Sequence, residues 1–113
     1  WNKMKFMVNV TSGEDINEAF KDKMMSYSHH KDNEDYRWAA LIYLNDGPGG
    51  TNFYAFKEDW PLEPNYDMKK DIKFTSEMKY NRMVLYEARQ THGAILDKGM
   101  FSEYPRLAQV FFM

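Results

Sequence analysis

Trp38-Ala39-Ala40-Leu41-Ile42-Tyr43-Leu44 is followed by Asn45-Asp46-Gly47-Pro48-Gly49-Gly50 and then by Thr51-Asn52-Phe53-Tyr54-Ala55-Phe56. How this stretch is read decides the fold. The first part is apolar almost without a break. Its length and the breakers that follow it fit a buried central strand better than a helix, which needs ten residues or more to cover a core. The middle part is the strongest turn signal in the chain. The last part is rich in aromatic residues, which favour half-buried strands. The first and last parts together read as a β-hairpin.

Working outward, the same criteria mark strands at Lys3 to Val10, Met25 to His30, Ile72 to Lys79, Asn81 to Tyr86, Thr91 to Leu96 and Arg106 to Phe112. Asn81 to Tyr86, with its Met-Val-Leu-Tyr run, reads as a core strand. Ser12 reads as the cap of a helix from about Glu14 to Met24, with acidic residues early and lysines late, as the helix macrodipole favours. Ile16, Ala19, Phe20 and Met24 would form its buried face. Glu58 to Lys70 carries Pro61 and Pro64 and reads as a surface loop or a lid, and Lys98 to Pro105 as a loop. About eight short strands with one helix exclude a parallel βαβ design and point to a sandwich or barrel.

Composition agrees. The chain has 113 residues, which suits one domain, and its aromatic share of 17% argues for a β-rich globule rather than disorder. It has no cysteine, so disulfides and thiolate metal sites are excluded. A reducing cytoplasm is the expected setting. The formal net charge is -2 and no strong basic patch is present, which disfavours nucleic acid as a partner. No apolar run approaches the ~18 residues of a membrane span, and no signal peptide is visible. The chain starts at Trp1 rather than Met, close to what reads as an ordered strand, which leaves open a missing preceding segment.

There are three histidines, His29, His30 and His92. His30-Lys31-Asp32 has the form His-x-Asp, and residues two apart in an extended segment point the same way. With His92 arriving from a distant strand, the three make a two-histidine, one-carboxylate set, the ligand set of non-haem Fe(II) oxygenases. Taken alone, His29-His30 reads more simply as a solvated loop, and His92 as a strand-end histidine bonded to the backbone. His29 with Asp32 is a second pairing. Gly47 to Gly50 lacks the Gly-Lys-Ser/Thr ending of a phosphate loop.

The order of these motifs carries more than each alone. His-x-Asp precedes the Tyr43-Leu44-Asn45 strand. Gly49-Gly50-Thr51, the strand to Tyr86, His92 and finally Pro105-Arg106-Leu107 follow. From roughly Met25 to the end, the chain resembles the 2-oxoglutarate/Fe(II)-dependent oxygenases, in particular the prolyl-4-hydroxylase-like branch and its small bacterial and phage relatives. The resemblance implies a double-stranded β-helix, or jelly roll, with a flanking N-terminal helix. It implies Fe(II) on His30, Asp32 and His92, and Arg106 on the distal carboxylate of 2-oxoglutarate. Tyr27 and Thr51 would be further cofactor contacts, with Tyr43 beside them. A guanidinium suits that role because it pairs with a carboxylate in bidentate fashion and keeps its charge when desolvated. Arg82 and Arg89 are competitors for it. The implied reaction is hydroxylation of an unknown substrate, a peptide or small molecule rather than nucleic acid, with release of succinate and CO2. Many relatives carry longer N-terminal helices that buttress the main sheet. If these are lacking, a homodimer would cover the apolar surface. Two other readings use the same fold: a cupin-like metalloenzyme without 2-oxoglutarate, and a binding module without catalysis.

Overall fold

A computed structural model describes residues 5–16, 35–55 and 68–113. Seven strands are found among them: β1 Lys5–Thr11, β2 Trp38–Tyr43, β3 Gly50–Tyr54, β4 Ile72–Glu77, β5 Met83–Glu87, β6 His92–Ile95 and β7 Arg106–Phe112. They form two antiparallel sheets, one ordered β1-β7-β2-β5 and the other β4-β3-β6. The protein is mainly β and is built as a sandwich. No helix among the described residues is long and apolar enough to cross a membrane.

The period-two pattern of each strand explains the layering. In β7, Arg106, Ala108 and Val110 are buried and alternate with half-buried Leu107, Gln109 and Phe111. In β2, Ala39, Leu41 and Tyr43 face the core, and Ala40 on the opposite face is also buried. That double burial is why this run is apolar throughout. Phe53, Met78, Tyr86 and Ala88 complete the core between the sheets.

The expected hairpin is not formed. β2 pairs with β7 on one side and β5 on the other, so both of its edges are taken. β3 therefore pairs with β4 and β6 in the other sheet. The Asn45–Gly50 turn carries the chain across the sandwich. β5 also departs from expectation: it is an edge strand in which Val84 and Tyr86 turn inward while Met83 and Leu85 are exposed. At the N-terminal side, Ser12 and Asp15 form a reciprocal cap. The Asp15 N–H donates to the Ser12 hydroxyl (3.1 Å) and the Ser12 N–H donates to the Asp15 carboxylate (3.0 Å). Hydrogen bonds from Ser12, backbone first and side chain second, hold the Asp15 carboxyl below the usual carboxylate range. The helical turn starts at Gly13 and is described as far as Ile16. The rest of the expected helix, and the expected strand from Met25 to His30, lie outside the described residues.

Gly50 is required where β3 meets β4. Its φ is 131°, and a Cβ there would collide with the Ser76 carbonyl oxygen. Gly99 also has a positive φ, 93°, but a Cβ would meet nothing. Gly50→Ala is expected to destabilise the fold by about 3 kcal/mol or more, and Gly99→Ala by about 1 kcal/mol. Urea denaturation of both variants measures the difference, and equal losses would remove the close β3–β4 approach as the reason for Gly50.

Candidate functional site

Between the two sheets lies a cavity of about 230 Å³, lined by Met7 and Asn9 of β1, Leu41 of β2, Thr51 of β3, Tyr86 of β5, His92 and Ala94 of β6, and Arg106, Val110 and Phe112 of β7. Most of the lining is apolar. Its chemistry comes from Arg106, Thr51, His92 and Tyr86.

Arg106 opens β7, and the inward phase of that strand turns its side chain into the sandwich, where it is only 6% exposed. The backbone on either side is fixed by Asn45. The Asn45 Nδ2 donates to the Pro105 carbonyl (2.8 Å), and the Leu107 N–H donates to the Asn45 Oδ1 (3.1 Å). The guanidinium carbon sits 5.9 Å from the centre of the Tyr43 ring, a cation–π distance. Among the described residues, the Arg106 Nε has no hydrogen-bond partner, and no carboxylate lines the cavity. Burial lowers the Arg106 pKa from its ordinary value, and Tyr43 and Tyr86 act in the opposite direction. A desolvated cation without a counter-charge costs several kcal/mol. It also makes a strong receptor for an anion small enough to enter.

Thr51 is buried on β3, with its hydroxyl 2.8 Å from the Tyr43 hydroxyl. The Tyr43 hydroxyl also lies 3.3 Å from the Ser76 carbonyl. Tyr43 has one proton to share between these two acceptors. When it goes to Thr51, the threonine proton is left to donate toward the cavity.

His92 opens β6 and is 5% exposed. Its Nδ1 lies 2.7 Å from the Gln90 carbonyl oxygen. A carbonyl only accepts, so Nδ1 carries a proton, and in the neutral ring Nε2 carries the lone pair. The Tyr86 hydroxyl, 3.3 Å from Nε2, is then the donor to it. Tyr86 and Phe53 clamp the imidazole, with ring centres 4.6 and 6.0 Å from it. A neutral imidazole oriented through one nitrogen and basic at the other is the form that binds metals.

Three of the residues expected at the site therefore meet in one cavity: Thr51, His92 and Arg106. Tyr43 does not line the cavity but packs its ring against the Arg106 guanidinium. Arg82 and Arg89 are exposed and do not line the cavity, and Arg82 donates instead to the Glu77 carbonyl (3.2 Å). His30, Asp32 and Tyr27 lie outside the described residues. Among the described residues, no three histidine or carboxylate side chains gather as a metal site. Tyr86 and Asn45 were missing from the sequence reading. Alternation with Val84 would have put Tyr86 on the inner face, but nothing local distinguishes Asn45 from an ordinary turn residue. Compared with protein-family models, curated proteins and solved structures, the chain matches none.

Arg106→Leu is expected to increase the free energy of unfolding by about 1–2 kcal/mol in buffer free of polyvalent anions, because it replaces an uncompensated buried charge with apolar volume. It should also abolish any stabilisation of the parent by dicarboxylates. Denaturant melts with and without added dicarboxylate measure both effects. A loss of stability in the variant would mean that the guanidinium is compensated in the parent.

Proposed function

We propose that this protein is an Fe(II)- and 2-oxoglutarate-dependent oxygenase on a double-stranded β-helix, hydroxylating a peptide or small-molecule substrate. The observation that carries this reading is the meeting, in one cavity, of Arg106, whose buried Nε has no hydrogen-bond partner among the described residues, with His92, whose Nδ1 is held by the Gln90 carbonyl.

A keto diacid answers both needs. Its distal carboxylate matches Arg106, with Thr51 able to donate a second hydrogen bond. Its keto-acid end would chelate a metal held by His92 together with His30 and Asp32. Tyr27 would be a further contact to the cofactor. The cavity, at about 230 Å³, is smaller than the ~300–1,000 Å³ of pockets for drug-sized ligands and suits a five-carbon diacid. Dioxygen would be the oxidant, with bound Fe(II) and 2-oxoglutarate as co-reactants: one oxygen atom would enter the substrate C–H bond as a hydroxyl and the other the succinate, with CO2 released.

The chain's own residues have separable tasks. Arg106 fixes the cofactor's far end and selects a diacid over a monoacid. Tyr43 supports the guanidinium through its ring and orders Thr51 through its hydroxyl. Gln90 holds the tautomer of His92. The apolar lining from Leu41, Val110 and Phe112 excludes water, which strengthens the charge pairing.

Strand order supports the jelly-roll part of the reading. The chain changes sheet between β2 and β3, β4 and β5, β5 and β6, and β6 and β7, and β7 returns to lie between β1 and β2. A jelly roll would need one more strand in the second sheet between β1 and β2 in sequence. The stretch from Met25 to His30 is the candidate for it.

Anaerobic titration with Fe(II) and then 2-oxoglutarate tests the proposal. The parent should bind one Fe(II) and, with the keto acid, develop a visible charge-transfer band. His92→Ala should lose the band. Arg106→Leu should bind iron normally but require at least tenfold more 2-oxoglutarate, the equivalent of about 1.4 kcal/mol. Iron binding without the keto acid would favour the cupin-like metalloenzyme, and failure of both would leave a binding module.

A further inference from the structure

β1 is the edge strand of the four-stranded sheet and pairs only with β7 among the described residues. Lys5 through Val10 are all exposed. Exposed edges of this length are normally protected by charges, proline or a bulge. This strand has one charge, Lys5, and no proline.

The ladder shows which backbone groups are left over. Trp38 and Met113 exchange both hydrogen bonds (3.0 and 2.9 Å), and the Leu44 N–H donates to the Leu107 carbonyl (2.9 Å). The odd-numbered residues of β7 thus point their N–H and C=O groups toward β2. The even-numbered ones point toward β1, where they face Lys5, Met7, Asn9 and Thr11. The N–H and C=O groups of Phe6, Val8 and Val10 consequently point away from the sheet.

We propose that β1 pairs antiparallel with β1 of a second copy of this chain, about a twofold axis through Val8. This register sets Val8 against Val8, Phe6 against Val10, and Lys5 against Thr11. All the outward backbone groups of Phe6, Val8 and Val10 then find partners, giving about six hydrogen bonds. Phe6 already packs on Phe111 with ring centres 6.1 Å apart, and Val10 lies beside Leu107. The joined outer face is therefore one apolar stripe. The single charge of each strand falls at opposite ends of the pair, whereas a parallel pairing would stack lysine on lysine. A shift by one residue would leave the outward groups unmatched. This match of the strand to itself, in charge and in hydrogen bonding, is what favours a second copy over a foreign strand. The same register sets Met7 of one copy opposite Asn9 of the other at the rim of both cavities. The pairing is independent of what those cavities bind.

Sedimentation velocity and cysteine cross-linking test it. The parent should sediment at twice the chain mass at micromolar concentration. Val8→Lys and Val8→Glu should each sediment as monomers with unchanged circular dichroism, and an equimolar mixture of the two should recover the doubled mass. The chain has no cysteine, so Val8→Cys should form a covalent dimer on mild oxidation while Phe6→Cys does not, and this comparison does not depend on the charged variants folding. A monomeric parent would overturn the proposal. So would a Val8→Lys variant that stays dimeric, or cross-linking that is equal at positions 6 and 8.

Discussion

A positive charge withdrawn from water must be compensated, and among the described residues no carboxylate lines the cavity that holds the buried Arg106 guanidinium. Arg106 sits inside the protein with the Tyr43 ring 5.9 Å from its guanidinium carbon. Backbone that fixes such a group has to be held firmly. Asn45 grips the peptides on both sides of Arg106 from the turn that leaves β2. Tyr43, at the end of the same strand, supplies the ring and joins the two sheets through Thr51. The protein thus accepts a local loss of stability at Arg106.

The second reactive group is prepared differently. Both ring nitrogens of His92 lie within hydrogen-bond distance of a partner, the Gln90 carbonyl oxygen and the Tyr86 hydroxyl, which keeps the cost of its burial low. What is fixed there is orientation: a backbone carbonyl sets the tautomer and two aromatic rings set the plane. Arg106 and His92 each open a strand, in opposite sheets. Their approach therefore depends on the packing of the two layers and not on any local segment.

That dependence explains what could be read in the sequence. Strands were legible because alternation and apolar runs are local, and β7 carries the limits expected for it, Arg106 to Phe112. Strand partners were less so. The Asn45–Gly50 turn has every property of a hairpin turn, yet both edges of β2 are claimed by strands far along the chain. β5 looked like a core strand because Met83 and Leu85 are apolar, although they face outward at an edge. In the cavity, Thr51, His92 and Arg106 are residues that the order of motifs singles out. Tyr86 and Asn45 act through contacts that form only when the sheets close, so no short motif announces them.

β7 lies between β1 and β2, although it is the last of the described strands to be synthesised. Joining Lys5 to Phe112 closes a loop of roughly a hundred residues. In equilibrium terms this is modest, since extending a loop from ten residues to a hundred adds only about 2 kcal/mol. In time it matters more, because non-local strand pairing is slow. A chain emerging from the ribosome has no centre for its main sheet until Arg106 and the residues after it are out. Until then β1 and β2 remain separate and apolar, and Arg106 is not yet beside Thr51 and His92. The nascent chain thus completes its main sheet and gathers these cavity residues in the same late step.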